Sequence, residues 1–231
     1  MMRKGIDMSR YITSLKQQAA RKPQKIVLPE SDDVRILQAA DRVLAEHLAV
    51  PVLLGKERDI QELASRYQLD LDGAEVIYPK KYRMLEDLAQ TYADKRKAAG
   101  MTLEESRRFL LNHPLYFGAA LVAAGEAAGM VASMETPASD VLRAALKLIG
   151  TRAGIDTARS SFIVVTDMMQ FGNDGVAVFF RRGAAAQIRC QMLFFGQDFV
   201  DGFADLGGNS RFSDIFQEHA GRPQESRRVG D

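Results

Sequence analysis

Gly129-Met-Val-Ala-Ser-Met-Glu-Thr-Pro-Ala-Ser-Asp-Val-Leu-Arg-Ala-Ala-Leu-Lys-Leu-Ile-Gly150 reads as the end of a short buried strand, a polar loop and a helix. Thr136 stands where an N-cap hydroxyl accepts a free backbone N–H. Pro137 stands at the first helical position, where a missing N–H costs nothing. Val141, Leu142, Ala145, Leu146 and Ile149 fall on one helical face, and Gly150 is a natural stop. Arg143 lies in the second turn, close to the end where unpaired N–H groups and the helix dipole favour an anion. A phosphate or carboxylate site is one reading of this pattern. An ordinary crossover helix with a solvated arginine is the other, and the acidic neighbours Glu135 and Asp140 favour it.

Outward from this stretch the chain alternates strands and helices. Ser9 to Ala20 has the spacing of an amphipathic helix, with Tyr11, Ile12 and Leu15 as its apolar points. Ile26-Val27-Leu28 is a buried strand ended by Pro29, and the polar turn Glu30-Ser31-Asp32-Asp33 opens the next helix. Ile36, Leu37, Ala40, Val43 and Leu44 recur at helical spacing through about His47. Ala49 to Gly55 is the following strand, so strand, helix and strand form a parallel crossover unit. The alternation continues with a helix over Ile60 to Tyr67 and a strand over Ala74 to Ile77. A helix from Leu85 to Ala98 is closed by Gly100. A helical turn or two spans Ser106 to Asn112, and an alanine-rich, closely packed segment runs from Leu115 to Ala128. Ser161 to Val165 and Gly175 to Phe180 are β-rich, with a hairpin-type turn at Asn173-Asp174-Gly175. The expected fold class is α/β, with a mostly parallel sheet flanked by helices. Ligands in such sheets sit at the carboxyl ends of the strands, which points to the loops after Leu28, Leu54 and Ala132.

The bulk properties are those of a soluble globular protein. The chain has 231 residues, 46% hydrophobic and 26% charged, and a formal net charge of +1. That balance gives no general attraction to nucleic acid or acidic membranes. Cys190 is the only cysteine, which excludes an internal disulfide and any multi-cysteine zinc site and makes a reducing compartment the default. No apolar run reaches transmembrane length, and Met-Met-Arg-Lys-Gly lacks the apolar core of a signal peptide. A cytoplasmic location is expected.

Candidate chemical groups are few. His47 and His113 are isolated and read as packing or surface residues. There is no P-loop and no dinucleotide fingerprint. Asp32-Asp33-Val34-Arg35 could approach a metal but also matches a common acidic helix start, and no metal site is assigned. The run Lys95-Arg96-Lys97 reads as a solvated face or as a polyphosphate contact, with Arg96 as the planar bidentate donor.

Several segments together resemble phosphotransacetylases, within the phosphate acetyl/butyryl transferase family. They are Ile26-Val27-Leu28-Pro29-Glu30 with Asp33-Val34-Arg35-Ile36-Leu37-Gln38-Ala39-Ala40, then Pro51-Val52-Leu53-Leu54-Gly55 and Lys95-Arg96-Lys97-Ala98-Ala99-Gly100-Met101-Thr102. Val141 to Ile149 follows, ahead of Ser160-Ser161-Phe162. Their order and spacing across residues 9 to 180 carry the resemblance, which covers the first half of the family pattern.

The resemblance implies an isocitrate/isopropylmalate dehydrogenase-like fold, here truncated, and usually a homodimer. It implies acetyl transfer between acetyl phosphate and coenzyme A, with no metal and no resident cofactor, coenzyme A being a substrate. The thiolate attacks the acyl carbonyl and phosphate leaves. That chemistry needs a base for the thiol and cations for the phosphate and oxyanion. Arg96 and Arg143 match the family's amino-terminal arginines and are implied to contact coenzyme A or phosphate. Thr136 and Ser139, at the start of the Arg143 helix, join them as implied substrate-binding residues. Ala144 replaces the family's usual proline. The family's Ser-Arg-Gly motif and following aspartate have no match in residues 181 to 231, so no catalytic residue is assigned.

The composition changes after Phe180, giving an expected division into an incomplete family-like region, 1–180, and a tail, 181–231, that is polar and poorly ordered toward its end. Read one nucleotide out of frame, codons for Arg181 through Ala185 permit Asp-Ala-Val-Gln-Pro. Those for Gly196 through Val200 permit Ala-Lys-Thr-Leu-Ser, and those for Gly208 through His219 permit Glu-Thr-Pro-Val-Phe-Leu-Thr-Tyr-Ser-Lys-Asn-Thr. All three are similar to the family's continuation. The expectation is a frameshifted, prematurely ended phosphotransacetylase of impaired or absent activity. A lineage-specific tail is the alternative, with the chain acting as a non-catalytic coenzyme A- or phosphate-binding or regulatory fragment. A nicotinamide-dependent oxidoreductase is disfavoured by the missing fingerprint.

Overall fold

Strand β1, Gln24–Leu28, lies inside a sheet because both of its faces are apolar enough to bury. It pairs in parallel with β2, Ala49–Leu54, on one side and with β4, Gly129–Ala132, on the other. β2 pairs in parallel with β3, Glu75–Ile77. The computed structural model describes residues 8–132, 134–151, 159–165, 176–182 and 192–195, with side chains over 12–132 and 134–151. Among these residues the sheet runs in the order β3-β2-β1-β4-β7, where β7, Met192–Phe195, joins antiparallel to β4. The chain is thus α/β, with four parallel strands flanked by helices.

Alternate residues of each strand feed two cores, as strand geometry requires. Val27, Val52, Leu54, Ile77 and Met130 pack with α4 (Leu85–Lys95), α5 (Leu103–Asn112), α6 (Pro114–Ala123) and α7 (Ala138–Leu148). Leu28, Leu53 and Ile26 pack on the other face with α2 (Val34–Ala45) and α3 (Glu57–Arg66). Phe117, Tyr92, Leu37 and Leu53 are fully buried, each contributing about 1.5–3 kcal/mol by removal from water. Met8–Arg21 forms α1, whose Lys16 pairs with Glu46 beyond the end of α2.

The structure departs from the sequence reading in instructive places. α7 begins at Ala138, one residue later than expected, with Pro137 in the N-cap position and no side-chain cap. Its buried face is Val141, Ala144, Ala145 and Leu148, while Leu146 is 45% exposed. The alanines let α7 approach α6 closely, and Leu146 turns outward while Leu148 stays buried. α5 starts at Leu103, earlier than Ser106, because Thr102 and Glu105 form a reciprocal capping box. Gly150 ends α7 as expected, at φ +83°, with its N–H donating to the Ala145 carbonyl.

β5, Arg159–Val165, pairs antiparallel with β6, Val176–Arg182. The turn expected at Asn173-Asp174-Gly175 lies outside the described residues, as do Cys190 and residues 196–231. β7 supplies a strand beyond Gln187, where the sequence shows no clear alternation of strand and helix. Among the described residues no helix is long and apolar enough to cross a membrane.

Candidate functional site

The strand order reverses between β1 and β4: from β1 the chain builds β2 and β3 to one side, then returns to place β4 on the other. Such a switch point leaves a crevice at the carboxyl ends of the two strands, the usual ligand position in this class. Here Glu30, just after β1, reaches the loop after β4. Its carboxylate accepts the backbone N–H groups of Met134 at 2.9 Å, Glu135 at 3.1 Å and Thr136 at 2.8 Å. Burial pushes the Glu30 carboxyl up, but bonds from the Thr136 hydroxyl and the three backbone N–H groups outweigh it. The group titrates below the usual carboxylate range.

Asp33 caps α2 by accepting the Arg35 N–H at 2.8 Å, and it also pairs with the Arg35 guanidinium. That pairing holds its carboxyl low and explains the acidic turn as a helix start. Arg35 lies 3.5 Å from Glu135, a second link between the two loops. Among the described residues no cluster of three or more His, Cys, Asp or Glu could hold a metal ion.

The expected substrate-binding residues divide between α7 and the end of α4. Thr136 is not the helix cap; its N–H belongs to Glu30. Ser139 is exposed in the first turn of α7. Arg143, with its side chain 56% exposed, donates from Nη1 to Asp140 Oδ1 at 2.6 Å. Arg96 sits where α4 gives way to a 3₁₀ turn, Lys97–Ala99, that Gly100 ends at φ +75°. Its Nε is buried and has no hydrogen-bond partner among the described residues. A buried guanidinium N–H left unmatched is costly, which makes it a donor in want of an acceptor. Lys95, the neighbouring cation, donates to the Leu148 carbonyl and so ties α4 to the end of α7.

Arg96 opens onto a groove of about 460 Å³ shared with Met101, Glu105, Arg108, Phe109 and His113. His113 stacks on Phe109, ring centroids 4.0 Å apart, and its Nδ1 lies 2.8 Å from the Phe109 carbonyl. Phe109 in turn meets Tyr116 edge-on at 4.8 Å. Both expected arginines act on Tyr116 through their charge. Burial raises its hydroxyl above the ordinary range, and Arg143 and Arg96 both pull against that rise while Asp140 adds to it. Lys147 Nζ lies 5.8 Å from the Tyr116 ring centroid. The fold therefore gathers Arg96, Arg143 and Lys147 about one buried tyrosine, beside a groove with an aromatic wall. Glu30 and Tyr116 were not singled out from sequence. The signals available for Glu30 were its place in the loop after β1 and in the family-like segment Ile26 to Glu30.

Residues 10–181 match the family model described as Phosphate acetyl/butaryl transferase. A phosphate acetyltransferase of Acetivibrio thermocellus is 34% identical over 169 residues, 73% of this chain and 50% of that protein. One from Staphylococcus aureus is 35% identical over 164 residues, 71% of this chain and 49% of the relative. Among solved structures, the EutD phosphotransacetylase from Staphylococcus aureus superposes with a TM-score of 0.61 at 34% identity, over 69% of this chain and 47% of that one. A phosphotransacetylase from Streptococcus pyogenes gives 0.63 at 29% identity, over the same shares. The chain spans about half the length of the relatives it matches. On the strength of a family match covering most of its length, the chain belongs to the phosphate acetyl/butaryl transferase family.

Proposed function

We propose that the chain provides the coenzyme A- and phosphate-binding part of a phosphate acetyltransferase. The observation that carries this reading is Arg96: its guanidinium Nε is buried with no hydrogen-bond partner among the described residues, and its side chain borders an open groove. Phosphate and pyrophosphate oxygens are the acceptors that suit such a donor. In the reaction the coenzyme A thiol gives up its proton and its sulfur bonds to the acetyl carbonyl carbon. The bond from that carbon to the phosphate oxygen then breaks, and phosphate leaves with the electron pair. Arg96 and Arg143 hold the phosphate groups and offset the charge that develops on them. Coenzyme A is a substrate, and the reading calls for no resident cofactor.

The thiol base has no candidate among the residues assigned, and the chain spans about half of its relatives. We therefore propose binding without efficient turnover by these 231 residues alone. Calorimetric titration with coenzyme A, paired with an assay of acetyl-CoA formation from acetyl phosphate, tests both parts. Binding without turnover is the expected result. No heat at millimolar coenzyme A would remove the binding reading, and rapid turnover would show that the base lies within this chain.

A further inference from the structure

The switch-point crevice holds one of the chain's own anions. Three successive backbone N–H groups, those of Met134, Glu135 and Thr136, converge on the Glu30 carboxylate. Such a convergence is an anion nest. α7 starts two residues beyond Thr136, and its N-cap residue Pro137 offers no side-chain bond. Glu30 thus joins Asp140, in the first turn of α7, as an anion at the start of that helix. The same carboxylate bridges two segments more than a hundred residues apart in sequence, and the Arg35–Glu135 contact is a further side-chain link between them.

We propose that Glu30 is a positioning residue: its carboxylate fastens the β4–α7 loop across the switch-point crevice and so fixes how α7 presents Arg143 to a phosphate-bearing substrate. The inference rests on the coenzyme A-binding reading above. A loop held in one conformation before the ligand arrives spares the ligand the entropy of ordering it. If the loop is free, only a fraction of molecules is competent, and apparent affinity falls by that fraction. Glu30 has the geometry for this task, because its three bonds go to consecutive amides and leave the loop little freedom. Arg35, at the start of α2, is the cation whose charge acts with Glu30, and it also pairs with Asp33 and with Glu135 of the loop.

The test compares the chain with Glu30→Gln and Glu30→Ala, using coenzyme A titration at several pH values and amide hydrogen exchange at Met134, Glu135 and Thr136. Core amides of β1 and β4 report whether each variant is folded. In the parent, the three amides exchange slowly and coenzyme A affinity declines as pH falls through the titration of Glu30. In Glu30→Gln they exchange faster, affinity is about tenfold weaker, and the part of the acid decline owed to Glu30 is gone. Asp33, Arg35 and Glu135 are the same in both proteins, so the difference isolates Glu30. Formate added to Glu30→Ala fills the nest and restores both protection and affinity. Faster exchange with unchanged affinity would overturn the inference while leaving the binding reading intact. Tighter phosphate binding by the variants would also overturn it, since Glu30 would then be a competitor for the ligand anion. A parent that binds no coenzyme A would remove the binding reading itself, and the inference with it.

Discussion

Arg143 Nη1 donates to Asp140 Oδ1 at 2.6 Å, one turn apart on α7. The pair is largely exposed, so it is worth about 0.2–1 kcal/mol. It still occupies the guanidinium that a substrate phosphate would engage. Asp140→Asn is expected to tighten coenzyme A binding by up to about fivefold, since that is the ratio such an energy represents. Arg143→Ala is expected to weaken it by more than about tenfold, through loss of a charge-assisted hydrogen bond. Calorimetric titration of the two variants checks both signs; a looser Asp140→Asn would mean that the carboxylate orients Arg143 instead of competing for it.

The contrast between α7 and Glu30 shows which parts of the structure were legible in sequence. Strand and helix positions followed from local apolar spacing: the runs at Val27, Val52 and Met130 are buried on both faces and leave little choice. The face of α7 was legible in part: Val141 and Ala145 are buried as expected, while Ala144 and Leu148 take the place expected for Leu146. Close packing against α6 buries Ala144 and Ala145 and leaves Leu146 out. The capping box at Thr102 and Glu105 was present in the sequence as a Thr-x-x-Glu signal and went unread. The Glu30 clasp was beyond local reading, because it exists only once the strand order brings the loops after β1 and β4 together. Arg96 and Arg143 came from family resemblance; that both act on Tyr116 needed the packing of α4, α6 and α7.

Ser31 is buried, and its hydroxyl joins the ends of β1 and β2. It donates to the Leu28 carbonyl and accepts the Leu54 N–H at 2.9 Å. Ser31→Ala leaves the buried Leu54 N–H without its partner. The expected destabilisation is about 1–3 kcal/mol, read as a lower urea midpoint with an unchanged slope. A substitution without effect would mean that water reaches Leu54 in place of the hydroxyl.

Gly118, on α6, lets that helix press onto the sheet. A Cβ there would meet Met130 Sδ at 2.9 Å and Val27 Cγ1 at 3.0 Å. The methionine can move, but Val27 is β-branched and fixed in a parallel strand between two neighbours. Overpacking of this kind costs about 1–3 kcal/mol, against a gain of about 1 kcal/mol in helix propensity. Gly118→Ala is therefore expected to be destabilising by about 1 kcal/mol, and Val27→Ala in the same background should recover part of the helix gain. Denaturant unfolding of the single and double variants measures the coupling between the two sites.

Tyr82 gives the chain an alkaline limit. Its ring meets Phe117 edge-on with centroids 5.7 Å apart, and its hydroxyl donates to Glu126 Oε2 at 3.3 Å. Burial, with the charge and hydrogen bond of Glu126, pushes the phenol up to about 12. The unfolded chain releases this proton near the ordinary value of 10. Between those values the unfolded state has lost a proton that the folded state keeps, so stability falls as pH rises. The contribution is fully present below pH 10 and is lost by about pH 12. Tyr92 and Tyr116 are raised mainly by burial and act in the same direction. Tyr82→Phe is thus expected to lessen the alkaline loss of stability without abolishing it. Urea midpoints across this range, together with phenolate absorbance, read the effect. An unchanged slope in the variant would mean that Tyr82 ionises freely in the folded chain, and that Glu126 is not held against it.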